Sequence, residues 1–450
     1  MSTELKRSLG LYGLTMVAIG STIGSGIFRT PGAVADHVQH PTFMLLLWIL
    51  GGVVALTGAL SFAEMGSMFP GAGGLYVYLR KAYGDAVAFS FGWYILFVST
   101  SGSIAALSMV SAEHILYLMG YAPKTGPIVP LAIGITFFLT LVNLFGVKIG
   151  EWIANIFTGA KLLGLLLIIG AGLFWADPAV MQANFEIPRS GLDFPEGMGA
   201  AFAAGFVSVL WSYGGWQHAS FMAAETRNPQ RNVPRAMMWG ALTVTLVYVL
   251  ANLAYLRLLP VGVMGQSDIV ATEAMEQVFP WAGVLIAVLI AVSTFGTTGI
   301  YCMTAPRIYY AMAQDGIFFP WLAKVHPRWR TPVNAMLLQS GWSVVLLLFW
   351  GNFKNLIEYV TFIDWIGLMM TGAAVIVLRR KMPDAERQYR TSGYPLTPII
   401  FVAICLWFVL FTLMGQSRSA LAGIAVVASG LLVYYTVFKG RNAEGRRSSK

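Results

Sequence analysis

Apolar runs long enough to cross a bilayer recur along the whole chain, and no other feature of the sequence limits the fold as strongly. In hydrocarbon every backbone N–H and C=O must be satisfied within the protein, so a span is a helix of ~20 mainly apolar residues. Runs of that kind lie at 11 to 31, 42 to 66, 86 to 119, 127 to 147, 152 to 176 and 197 to 224, then at 236 to 256, 280 to 313, 333 to 351, 356 to 378, 396 to 415 and 419 to 438. The expected fold is therefore all-α and integral to the membrane, with twelve transmembrane helices in a single polytopic domain over 1–450. Only 11% of the residues are charged against 57% hydrophobic, where soluble domains carry roughly a quarter charged. The lipid bilayer is the first partner this implies.

Charge then sets the orientation. With a cytoplasmic amino terminus, 22 of the 29 Lys and Arg fall on inner segments, six fall on outer ones, and Lys161 lies inside a helix. That bias predicts both termini in the cytoplasm. The outer loop from Pro260 to Pro280 fits, carrying Asp268, Glu273 and Glu276 without a basic residue. The net charge of +9 is scattered between apolar runs rather than gathered on one face, so no nucleic-acid partner is expected. The first run follows Lys6 and Arg7 without a small-residue cleavage pattern and reads as a retained helix. Cys302 and Cys405, the two cysteines, both lie in apolar runs and suggest neither a disulfide framework nor a thiolate metal site.

Two of the runs are interrupted. The first reads Gly20-Ser21-Thr22-Ile23-Gly24-Ser25-Gly26-Ile27-Phe28, and the sixth, five helices later, reads Trp211-Ser212-Tyr213-Gly214-Gly215-Trp216. Gly20 and Gly24 form a GxxxG pair that also suits close helix packing. Three glycines in seven residues exceed what one packing face needs, and each weakens a helix by ~1 kcal/mol. Broken backbone at mid-membrane depth is tolerated where it is buried or lines a cavity. A second correspondence supports the pairing: Ala86 to Ala112 and Trp281 to Pro306 are uncharged runs of 27 and 26 residues, again five helices apart. These pairs predict two inverted halves, 11–176 and 197–378, followed by two peripheral helices in 396–438.

Several motifs resemble the amino acid-polyamine-organocation superfamily, especially its L-amino acid transporter branch. IGSGIF at 23 to 28 with Pro31 resembles the helix 1 signature, and AEMGSMFPGAGGLYVYLRKAYG at 63 to 84 the end of helix 2 and its loop. NLFGVKIGEWIANIFTGAKL at 143 to 162 is similar to the passage into helix 5, including its lysine. YGGW at 213 to 216, NPQRNVPRAM at 228 to 237, RIYYAMAQDG at 307 to 316, TP at 331 to 332 and LRRKMPDAERQYRTSGYPLTP at 378 to 398 continue it in order. The resemblance implies a LeuT-type fold, with a 5+5 inverted repeat and unwound helices 1 and 6. Thr226 beside Glu225 and Gly299 on helix 8 depart from many relatives. Animal light-chain members carry a cysteine in the loop after helix 3, and the loop from Leu116 to Ile128 has none, so no disulfide-linked heavy chain is expected and a bacterial inner membrane is.

A broken helix offers N–H groups at the start of its outer half and C=O groups at the end of its inner half, each reinforced by a helix dipole. A zwitterion suits both. The expected substrate is a neutral L-amino acid, with its carboxylate on the N–H groups of Ser25 and Gly26 and Gly24 permitting close approach. The carbonyls of Thr22 and Ile23, with those of Ser212 and Gly214, would take the ammonium. Tyr213, by resemblance, is the aromatic that closes over the substrate, and Trp216 flanks the same break; packing between helices is the other reading of both. Lys161 lies about nine residues into helix 5, ~14 Å at 1.5 Å per residue, where a lysine costs ~2.5–3.5 kcal/mol. By resemblance its ammonium takes the place of a sodium ion, bridging helix 1 near Gly20 to helix 8 near Ser293, which implies sodium-independent exchange.

Alternatives stay open at this level. His218 could couple transport to protons, and Asp364 could face either the pocket or a neighbouring helix. A cationic amino-acid or polyamine carrier is a further possibility, disfavoured by the lack of a carboxylate in either break. An enzyme is not expected: His37, His40, His114, His218 and His326 form no HExxH, and GxSxG is absent. No metal or cofactor is called for. A channel would conduct without saturating or showing counterflow, and a receptor would bind its ligand without moving it.

Overall fold

The computed structural model describes residues 5–122, 125–186, 197–267, 269–350, 353–415 and 417–439. The acidic-loop residue Asp268 and the last residues of the carboxyl end lie outside them, as do the side chains of 353–362 in the tenth run. The described residues are helical almost throughout, with one isolated bridge between Leu9 and Thr226.

The first apolar run is two helices, α1 (Leu11–Thr22) and α2 (Gly26–Val38), bent by 40° at the break. α2 runs through Pro31 and ends at Val38, past the expected end of the run. Next come α3 (Pro41–Met68), α4 (Asp85–Leu118, with a π turn over Ile95–Ser99) and α5 (Val147–Phe174). The sixth run is divided into α6 (Met198–Ser212) and the single turn α7 (His218–Phe221). Then follow α8 (Pro229–Leu258), α9 (Ala282–Gln314), α10 (Phe353–Lys381) and α11 (Leu396–Met414). Among the described residues six helices are individually long and apolar enough to span a bilayer, seven with α1 and α2 counted together. Four shorter apolar helices include α6 and Ile128–Leu144. This is a multi-pass membrane protein.

The broken elements occupy the centre. α1 packs against α5, α8 and α9, while α2 packs against α6. Apolar residues on the outer helices, such as Phe137, Trp152, Leu163 and Leu246, are exposed, the pattern of a surface that meets lipid rather than water. Some interior charges are paired: Glu64 accepts from Arg379 and Arg387, and Arg307 holds Glu225 through Nε at 2.7 Å and Nη2 at 2.9 Å. Cys302 and Cys405 are buried and unpaired.

Candidate functional site

At the first break, Ile23 is extended (φ −77°, ψ 94°) and its N–H still closes onto Ile19 O, so α1 ends cleanly. α2 restarts at Gly26, where a Cβ would come within 2.6 Å of Ser212 Oγ and 3.2 Å of the Trp211 ring. The N–H groups of Ser25, Gly26 and Ile27 find no backbone acceptor among the described residues, and Ser25 Oγ is buried without a partner. A row of unused donors at a helix start, beside an unpartnered hydroxyl, is chemistry prepared for an anion.

The second break closes against the first. Gly215 adopts φ +130° with its α-carbon against Ser21, whose carbonyl oxygen a Cβ would approach to 2.4 Å, so only glycine fits. Ser21 Oγ donates to Gly215 O at 2.8 Å, and the Gln217 side chain accepts from Gly215 N at 2.9 Å. Ser212 Oγ reaches across to Thr30 Oγ1 on α2 at 3.0 Å. The carbonyls of Ser212 and Gly214 accept no hydrogen bond from the described backbone outside the helices.

Between these breaks and α4, α9 and α10 lies a cavity of about 100 Å³. Thr22, Gly24, Ser25, Gly26, Ser212 and Gly214 line it, with Trp211, Phe91, Tyr301 and Asp364 among the other walls. His218 lines it too, stacked on Tyr301 at 4.2 Å, with Nδ1 2.6 Å from Thr304 Oγ1. The Thr304 hydroxyl also lies 2.9 Å from Ile300 O.

Lys161 is fully buried outside this cavity. Its ammonium donates to Gly20 O (3.0 Å), Ile23 O (2.7 Å), Ser293 O (3.1 Å) and Thr297 Oγ1 (2.8 Å). Ser293 Oγ adds a bond to Gly24 O at 2.9 Å, fixing the break from α9. Thr297 was not singled out in the sequence, although its spacing of four from Ser293 puts both on one face of a helix.

Three expectations need correction. Ile23 O cannot serve a substrate ammonium in this arrangement, because Lys161, Thr297 and Ser293 already converge on it. Tyr213 faces away from the cavity: its hydroxyl donates to Trp48 O at 2.8 Å and its ring packs on Trp48 and Tyr248. Trp216 packs on Phe62 and likewise lies outside the cavity lining. Past Ser212 the backbone is no longer helical, so side-chain directions stop following helical spacing. At this break it is Trp211, in the last regular turn of α6, that lines the cavity.

A pair of interrupted helices framing a polar cavity, inside a bundle with an apolar exterior, defines a membrane transporter rather than an enzyme. The chain belongs to the amino acid permease family, whose profile matches residues 9–438. It is 32% identical over 447 residues to the serine/threonine exchanger SteT of Bacillus subtilis (strain 168), covering 98% of this chain and 99% of that one. It is 29% identical over 437 residues to the b(0,+)-type amino acid transporter 1 of Mus musculus, covering 96% and 88%. Against the large neutral amino acids transporter small subunit 2 of Homo sapiens it is 30% identical over 442 residues, covering 96% and 80%.

Proposed function

We propose that the chain is a sodium-independent exchanger of neutral L-amino acids working by alternating access. The observation that carries this is the first break: free N–H groups at Ser25 and Gly26, with the unpartnered Ser25 hydroxyl, bordering a cavity that the second break also lines. The substrate carboxylate binds those N–H groups, with Gly24 as the point of close approach. Its ammonium binds the carbonyls of Thr22, Ser212 and Gly214. Such recognition of the common amino-acid moiety leaves the side chain to the other walls.

Lys161 supports independence from sodium. Its ammonium lies on three carbonyls and a hydroxyl, an oxygen set of the kind that suits a monovalent cation, so a fixed positive charge fills the position. The exchange mode and neutral specificity draw on the relatives, named as a serine/threonine exchanger and a large neutral amino acid transporter. The rest of the reading is twelve spans, a 5+5 inverted repeat over 11–176 and 197–378, two peripheral helices in 396–438, and both termini in the cytoplasm of a bacterial inner membrane.

The test is uptake by the purified chain in liposomes. Uptake should require an internal amino acid, ignore an imposed sodium gradient, and fall to background in Gly26→Val, whose side chain would strike Ser212 and Trp211. Uptake driven by a pH gradient into empty vesicles replaces exchange with proton symport, and preferential competition by arginine or putrescine replaces the neutral substrate class. Transport unaffected by Gly26→Val ends the assignment of the site.

A further inference from the structure

We propose that Asp364 reads the substrate's side chain and makes the site selective for a short side chain that donates a hydrogen bond, a hydroxyl in the first instance. The inference rests on the transport reading above and goes beyond it, since neither break supplies a group that distinguishes one side chain from another.

Asp364 sits on α10 and is the one carboxylate among the described residues lining the cavity. The hydroxyls of Tyr94 and Ser99, also in the lining, donate hydrogen bonds to it. No basic side chain among the described residues is ion-paired with it, whereas Glu64, Glu113 and Glu225 each have an arginine. An ionisable residue within the membrane without such a partner points to a ligand or a transported species.

Size narrows the ligand. A cavity of about 100 Å³ walled closely by both breaks favours a small amino acid. With the amino-acid moiety on the two breaks, Asp364, Tyr94 and Ser99 form a separate polar wall for the side chain. A hydroxyl arriving there donates to the carboxylate and replaces the water it displaces. A methyl group of equal size displaces the same water and returns nothing, so the carboxylate keeps the Tyr94 and Ser99 hydroxyls but loses a further hydrogen bond. The discrimination is therefore against apolar isosteres rather than against size.

Threonine and valine are such a pair. In liposomes carrying the full chain, kcat/KM for threonine should exceed that for valine by roughly 10- to 100-fold, the range for one hydrogen bond to a charged group. Asp364→Leu should bring the ratio close to one by raising KM for threonine, with valine retained or improved. Asp364→Asn keeps an acceptor and should hold part of the preference. A role confined to packing would lower both substrates alike, so a ratio unchanged in Asp364→Leu overturns the proposal, as does a wild-type ratio of one or less. Calorimetric binding of the same two amino acids to the purified chain reads the ratio without any movement across the membrane. A preserved binding preference without transport would sink the exchanger reading and leave this one standing.

Discussion

Lys161 and Arg307 are both fully buried cations, and the protein accommodates them in different ways. Arg307 meets a carboxylate: Glu225 accepts from Nε and Nη2, and Met303 O takes a further N–H. The pair is complete in its side chains and needs only that α9 stay beside the turn that follows α7. Lys161 meets no carboxylate among the described residues. Its acceptors are neutral oxygens from two elements, and Ile23 O is available only because the helix is broken there; in a continuous helix that oxygen would serve the N–H of residue 27. One cation holds elements together whatever their local shape, while the other is bound to a particular shape of the backbone.

Substitutions separate the two. The largest loss of stability is expected from Arg307→Ala, which strands Glu225 in the interior at ~3–5 kcal/mol; thermal unfolding in detergent measures it, and Glu225→Gln in the same chain should recover part. Lys161→Ala strands no opposite charge and leaves the Ser293 and Thr297 hydroxyls to serve the same carbonyls, so it should cost less, ~1–3 kcal/mol. Exchange should nevertheless fall by roughly tenfold or more, equivalent to at least ~1.4 kcal/mol in the barrier. Stability that falls as far as in Arg307→Ala, or exchange that survives, would remove the distinction. Tyr213→Phe belongs at the small end: losing the bond to Trp48 O costs ~0.5–1.5 kcal/mol, and KM should stay within about twofold because the ring does not face the cavity. A large rise in KM would restore Tyr213 to the site.

What could be read from the sequence follows from which forces are local. Apolar length and the glycine clusters announce spans and interruptions because the bilayer and the backbone impose them residue by residue. The positions of Ser25, Gly26 and Lys161 were legible for the same reason, being conspicuous within their own runs. The facing of Tyr213, Trp216 and Trp211 was not, since it depends on how irregular backbone turns after Ser212. Thr297 was obscured differently: it is an ordinary polar residue on a helix, and its importance comes from α1, far away in the chain. Asp364 was visible as an acid in an apolar run, but whether it faces the pocket or a neighbouring helix depends on packing that no local pattern carries.

The contact between Gly215 and Ser21 has a mechanical consequence. Because the Gly215 α-carbon rests on the Ser21 carbonyl and its oxygen takes the Ser21 hydroxyl proton, neither interruption can slide along the other without breaking that bond and opening a gap. The two interruptions therefore meet backbone to backbone, and a displacement of one is expected to load the other at this contact.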